Sequence, residues 1–132
     1  MIRMLLADDH DAIHFGVSAL VQAQPDLELV ATATSGEGAV ELAGRHAPDV
    51  VLLDLSMPGR GGLWALREIR RRRPRTWLVV LTGDGRSATT RRALAAGADR
   101  FVLKDRPVED LLLAVREAGP TPREPQGPPV TL

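Results

Sequence analysis

Short apolar runs that alternate strictly with helix-period segments predict an α/β fold, a doubly wound parallel sheet covered by helices on both faces. Two observations carry this expectation. Five runs rich in leucine and β-branched residues recur along the chain, each followed by a segment with apolar residues three or four positions apart. Four of the five runs end on charged or hydroxyl residues, namely Asp8-Asp9, Asp54, Thr82 and Lys104. Ligands of open parallel sheets bind just beyond the carboxyl ends of the strands, so these ends are where chemistry is expected.

Ile2–Ala7 reads as the first strand, and Ala12–Ala23 as a helix with Ile13, Gly16, Val17 and Leu20 on one face. Leu27–Ala33 is the second strand. Ser35 is the expected N-cap of a helix over Glu37–His46, which Ala47-Pro48 ends. Val50–Leu53 is almost wholly apolar, as a strand buried on both faces should be. The glycine-rich loop Pro58–Gly62 leads into a helix over Leu63–Arg73 striped by Leu63, Leu66 and Ile69, and Pro74 stops it. Trp77–Leu81 is the fourth strand, Ser87–Ala96 the fourth helix with Gly97 beyond it, and Arg100–Leu103 the fifth strand. Pro107 opens a last helix ending near Ala118. For five strands in a chain of this length the expected order is the flavodoxin-like 2-1-3-4-5, with five helices on two faces.

The 132 residues suit one domain, expected over 1–118, with a core of ordinary size. Residues 119–132 hold five prolines and two glycines and read as a linker or disordered tail. A formal charge of zero gives no global field for nucleic acid or anionic membrane. The chain has no cysteine, which excludes disulfides and thiolate metal sites. No apolar stretch is long enough for a bilayer, and the chain enters its first strand without a signal peptide. The expected compartment is the cytoplasm, with no membrane partner.

In the order 2-1-3-4-5 the first and third strands are neighbours, about 4.8 Å apart. Asp8, Asp9 and Asp54 then meet at the topological switch point. Clustered carboxylates repel one another unless a hard cation neutralises them, and Mg²⁺ suits a site offering a few acids plus water or phosphate oxygens. Thr82 ends the adjacent strand and can donate to a phosphate. Lys104 ends the next one, and its flexible stem and compact charge can reach across. It is the sole lysine beside sixteen arginines, which marks the position further.

Ala7-Asp8-Asp9-His10, Leu53-Asp54-Leu55-Ser56-Met57-Pro58-Gly59, Leu81-Thr82-Gly83 and Leu103-Lys104-Asp105 resemble the receiver domain of bacterial two-component response regulators. The likeness covers about residues 1–118 and is closest to the NarL/FixJ-type subfamily, whose members usually carry a helix-turn-helix output domain. It implies a phosphorylation-controlled switch rather than an enzyme. Asp54 would accept a phosphoryl group from a sensor histidine kinase, with Asp9 on Mg²⁺, Asp8 acting partly through water and the Ser56 backbone carbonyl completing the protein ligands. Thr82 and Lys104 would contact phosphoryl oxygens. Phe101 would swing into space vacated by Thr82, changing the face made by the fourth helix, fifth strand and fifth helix. Ser56 and Asp84 would tune the lifetime of the phosphoryl group. The implied partners are the kinase, a second copy in a homodimer, and DNA only through an output domain outside this chain.

Two departures stand out. Asp105 follows Lys104 where many receivers have proline after a cis peptide, and Gly61 stands where an acid is frequent. A haloacid-dehalogenase-type hydrolase shares the ingredients but places its nucleophile after the first strand as Asp-x-Asp; here the acid pair comes first and Asp54-Leu55-Ser56 lacks the second acid. A flavodoxin-like flavin carrier would need a hydroxyl- and glycine-rich turn after the first strand, where this chain is acidic. His10 and His14, four apart on the first helix, have metal-binding spacing but no evident further nitrogen ligand. The run Arg70–Arg73 reads as a solvated helix end, where cations complement the helix dipole. Phe15 lies off the apolar stripe and is expected on an outward, kinase-facing side of the first helix.

Overall fold

The structure is a computed structural model that describes residues 1–119 and 121–125. The expected linker or tail therefore lies outside the described residues at 120 and 126–132. Ten elements follow in strict alternation: β1 (Ile2–Ala7), α1 (Asp11–Gln22), β2 (Leu27–Ala33), α2 (Gly36–His46), β3 (Val50–Asp54), α3 (Gly61–Arg72), β4 (Trp77–Thr82), α4 (Ala88–Ala95), β5 (Arg100–Leu103) and α5 (Val108–Ala118). All strand pairs are parallel and the order is β2-β1-β3-β4-β5, as expected from the sequence.

Alternation of side chains along the strands divides the core into two layers. Leu5, Ala7, Val51, Leu53, Leu78 and Val80 face α2 and α3, where Val40, Leu66 and Ile69 close the layer. Met4, Leu6, Val50, Leu52, Val79 and Leu81 face the other way, against Val17 and Val21 of α1 and Leu111, Leu112 and Val115 of α5. All five residues of β3 are buried, the consequence of a central strand covered on both sides.

The helix ends follow local chemistry. Ser35 accepts the N–H of Gly38 at 3.1 Å and Ser87 that of Thr90 at 3.1 Å, each satisfying a donor of the first helical turn. Ser87 is thus a cap in front of α4 rather than its first residue. Ala47 adopts φ +47°, a left-handed end to α2 before Pro48. Helix α3 starts two residues earlier than its apolar stripe suggests, because Gly61 and Gly62 supply the first turn.

The expected solvated end of α3 is corrected at Arg70. Its guanidinium is mostly buried and donates to the carbonyls of Gly97, Pro74 and Thr76 and to Asp99 at 3.0 Å. Arg71 and Arg72 do stay outside and pair with Glu68. The chain after α5 returns to the same corner. Arg123 is buried, its side chain bonds Asp99 and its N–H bonds the Arg75 carbonyl, while Trp77 Nε1 donates to the Thr121 carbonyl.

Candidate functional site

The strand register brings four loops to one end of the sheet. Ala7 lies beside Leu53, Asp54 beside Leu81, and Thr82 beside Leu103. Backbone bonds fix the residues just past the strands: Asp8 N–H to Ala33 O, Leu55 N–H to Leu81 O, and Lys104 N–H to Thr82 O. Sheet hydrogen bonding therefore continues up to Asp8, Asp54, Thr82 and Lys104.

Asp8 and Asp54 are completely buried, and Asp9 is partly exposed beside them. Lys104 Nζ stands 2.8 Å from Asp54 Oδ2 and 3.4 Å from Asp8 Oδ2. It approaches as an ion pair only, since both oxygens lack a well-directed hydrogen-bond donor. Asp54 Oδ1 is better served, accepting from Ser56 N–H and Ser56 Oγ–H at 3.0 Å each. Burial pushes the Asp54 carboxyl up, but the Lys104 ammonium and the Ser56 donors outweigh it and hold the group below its ordinary value of 3.8. Asp54 is thus an ionised, buried carboxylate with one oxygen tied and one facing cations.

His10 belongs to this cluster, which its spacing to His14 did not signal. It is the N-cap of α1, not a helical residue, and extended φ and ψ turn its ring back over the acids. Its Nδ1 lies 2.9 Å from Asp8 Oδ1 and 3.2 Å from Asp9 Oδ1. One ligand atom from each of Asp8, Asp9, His10 and Asp54 falls within 4.8 Å of the others. His14 Nε2 instead bonds the Asp8 carbonyl, so the two histidines do not act as a pair.

The other expected residues make contacts among themselves and with α4. Thr82 Oγ1 is engaged by Thr90 Oγ1 at 2.9 Å and by the Asp84 carbonyl at 3.2 Å. Thr90, fully buried and bonded also to that carbonyl, was missed by sequence reasoning; its one signal is its place three residues after the Ser87 cap. The Asp84 carboxylate turns to the N–H of Arg86. Phe101 is 40% exposed, with its ring against Gly85 instead of in either core layer. The Lys104-Asp105 peptide is trans, like every other described peptide bond.

The family model described as the response regulator receiver domain matches residues 4–116. The chain belongs to that family. Receiver domains of this kind are phosphoacceptor signalling domains rather than enzymes, which sets aside the hydrolase alternative. This receiver is 40% identical over 115 residues to the nitrate/nitrite response regulator protein NarL of Escherichia coli, covering 87% of this chain and 53% of that protein. It is 36% identical over 118 residues to the transcriptional regulatory protein LiaR of Bacillus subtilis, covering 89% and 56%. The receiver thus spans about half the length of the curated relatives it matches. Among solved structures, the response regulator domain of Thermotoga maritima CheB superposes with a TM-score of 0.82 at 30% identity, covering 89% of this chain and 96% of that one. The receiver domain of the Mycobacterium tuberculosis NarL gives 0.76 at 31% identity, covering 87% and 96%. The acidic cluster is of the type that holds Mg²⁺ in receivers. No described helix is long and apolar enough to cross a membrane.

Proposed function

We propose that Asp54 is the phosphoacceptor of a two-component pathway. The observation that carries the reading is Asp54 Oδ2, buried, without a directed donor, and 2.8 Å from the only lysine of the chain. A carboxylate held ionised needs no general base. One of its oxygens attacks the phosphorus of a kinase phosphohistidine, a P–O bond forms, the P–N bond breaks, and the imidazole leaves with the electron pair.

The orphaned oxygens of Asp8 and Asp54 fit a hard divalent cation. Asp8, Asp9, Asp54 and the Ser56 backbone carbonyl would hold Mg²⁺, which when bound neutralises charge on the transferring group. Lys104 supplies a second positive charge, standing 2.8 Å from Asp54 Oδ2 and 3.4 Å from Asp8 Oδ2. The acyl phosphate adds about one and a half to two negative charges. That charge draws Lys104 and the Thr82 hydroxyl, and Thr82 must then exchange its bonds to Thr90 and Asp84. Phe101, at the mouth of the space over Gly85, is the aromatic that follows, and α4, β5 and α5 carry the change outward. Ser56 and Asp84 modulate how long the phosphoryl group lasts. A sensor histidine kinase is the donor, and the compartment of this receiver is the cytoplasm. A second copy in a homodimer is a further partner of this reading, and DNA is one only through an output domain outside this chain, in keeping with relatives of which this chain covers 53% and 56%.

Incubation with a small acyl phosphate and Mg²⁺, followed by intact mass, tests the reading. A single phosphoryl adduct is expected, absent in Asp54→Asn and without Mg²⁺. Labelling that survives Asp54→Asn overturns it.

A further inference from the structure

We infer that the corner at the amino ends of β4 and β5 is a seat for Arg123, and that phosphorylation of Asp54 releases residues 121–125 from it. The inference rests on the phosphoacceptor reading above and adds a place at which the change leaves the receiver.

The segment is seated by specific bonds. Trp77 Nε1 donates to the Thr121 carbonyl at 2.8 Å, and the Arg123 N–H donates to the Arg75 carbonyl at 2.9 Å. The Arg123 guanidinium donates to Asp99 and, at 3.2 Å, to the Pro74 carbonyl. Arg123 is 6% exposed, a burial that charged side chains reach only when paired. Pro122 and Pro125 restrict the unseated segment, so that ordering it costs less entropy. Yet the seat is unevenly shared. Asp99 is one carboxylate between two guanidiniums, and Arg70 has other acceptors in the carbonyls of Gly97, Pro74 and Thr76. Among the described residues the Arg123 side chain has only Asp99 and Pro74. The excess positive charge in a largely buried corner opposes seating, and Arg123 is the cation with less to lose.

The phosphoryl pocket and this seat share α4. Near the start of the helix the Thr90 hydroxyl meets Thr82 Oγ1 at 2.9 Å. Just past its end the Gly97 carbonyl accepts Arg70 Nε at 3.0 Å and Nη2 at 2.9 Å. The helix has eight residues, a rod of about 12 Å. Arg70 lies flush on Gly97, where an added Cβ would stand 2.9 Å from Arg70 Cγ, so α4 cannot shift without moving that side chain. When the phosphoryl group draws Thr82 away from Thr90, α4 moves and Arg70 loses the Gly97 carbonyl. Arg70 then takes the larger share of Asp99, and Arg123 is displaced. The seat thus favours one position of α4 over the other, the differential contact that a coupled equilibrium requires.

The test is a short trypsin pulse on the 132-residue chain, read by intact mass as the product ending at Arg123. Each rate is referred to the same bond in a free peptide of residues 119–132. Unphosphorylated wild type should be cut about tenfold more slowly than the peptide or slower still, because the bond must first leave its seat. An acyl phosphate with Mg²⁺ should raise cleavage about fivefold or more, and Asp54→Asn should abolish the rise. Arg123→Lys, still a trypsin site, should be cut faster than wild type without phosphorylation, since a point charge cannot span Asp99 and Pro74 as a guanidinium does. The Trp77 indole N–H signal in NMR spectra, identified by its loss in Trp77→Phe, should shift on phosphorylation and in Arg123→Ala. Wild type cut as fast as the peptide overturns the inference, as does equal protection of Arg123→Lys. A phosphoryl adduct that leaves both cleavage and the Trp77 signal unchanged overturns the release while the Asp54 reading stands. If no adduct forms, both fall together.

Discussion

Glu37, at the start of α2, accepts the backbone N–H of Arg60 at 3.0 Å and so ties the loop after β3 to a helix 23 residues earlier. The loop fits closely under that carboxylate: a Cβ on Gly59, where φ is +76°, would stand 2.4 Å from Glu37 Oε1. Beside it, a Cβ on Gly36 would stand 2.5 Å from the Gly61 carbonyl. The two glycines let the start of α2 clasp the loop that leads from Asp54 into α3.

The Arg60 N–H holds the Glu37 carboxyl below its ordinary value of 4.5. A carboxyl with a depressed folded pKa contributes fully above the unfolded value, and its contribution is lost as pH falls through the folded one. The Arg60 amide proton should therefore titrate in NMR spectra with a midpoint below 4.5, and Glu37→Gln should abolish that titration. A midpoint at or above the ordinary value would contradict the tether.

Two glycines in helices should respond in opposite directions to alanine. A Cβ at Gly62 would lie 2.1 Å from the Asp54 carbonyl oxygen and 2.6 Å from Leu55 Cα, both backbone atoms that cannot rotate away. Gly62→Ala should destabilise by about 1–3 kcal/mol or more. Gly44, inside α2, has nothing within 4 Å of its added methyl, and Gly44→Ala should stabilise by about 0.5–1 kcal/mol. Urea unfolding of both variants gives the comparison, and like signs would refute it.

Leucines on α3 and α5 offer a similar contrast in packing. Leu66 is fully buried between α3 and the sheet, and Leu66→Ala should cost about 2–5 kcal/mol. Leu113 is 57% exposed on α5, so Leu113→Ala should stay within about 0.5 kcal/mol of wild type. Equal losses in the denaturation midpoint would show that α5 is packed differently from the structure described.

Asp99 holds the corner opposite the pocket, since its carboxylate takes Arg70, Arg123 and the Leu78 N–H together. Burial lowers the Arg70 pKa, and Asp99 works against that shift while Arg123 adds to it. Removing the shared acid leaves two largely buried guanidiniums facing each other. Asp99→Ala should cost about 3–5 kcal/mol. Arg123→Ala should cost clearly less, because Arg70 then keeps its partner. Thermal unfolding of the two variants decides, and the reverse ranking would reject the account.

The strands and their order were legible because each buried strand must be apolar and each crossover must be helical. The acids and Lys104 were legible because strand ends are fixed by that same pattern. What escaped was decided by contacts between distant segments. Arg70 looks like its neighbours Arg71 and Arg72 in sequence, and only its position over Gly97 and Asp99 makes it a buried residue. His10 was assigned to a helix face because periodicity carries no information about a capping residue that turns its side chain backward. Thr90 became a partner of Thr82 only through the turn at Asp84 that brings α4 over the end of β4.

One consequence concerns measurement. All basic side chains but Lys104 and the histidines are arginine, so an amine-reactive reagent meets a single lysine and the chain's amino terminus. That lysine is 19% exposed and lies against Asp54. Its rate of acylation becomes a built-in gauge of whatever draws the ammonium toward or away from Asp54, readable in the native sequence without an attached dye.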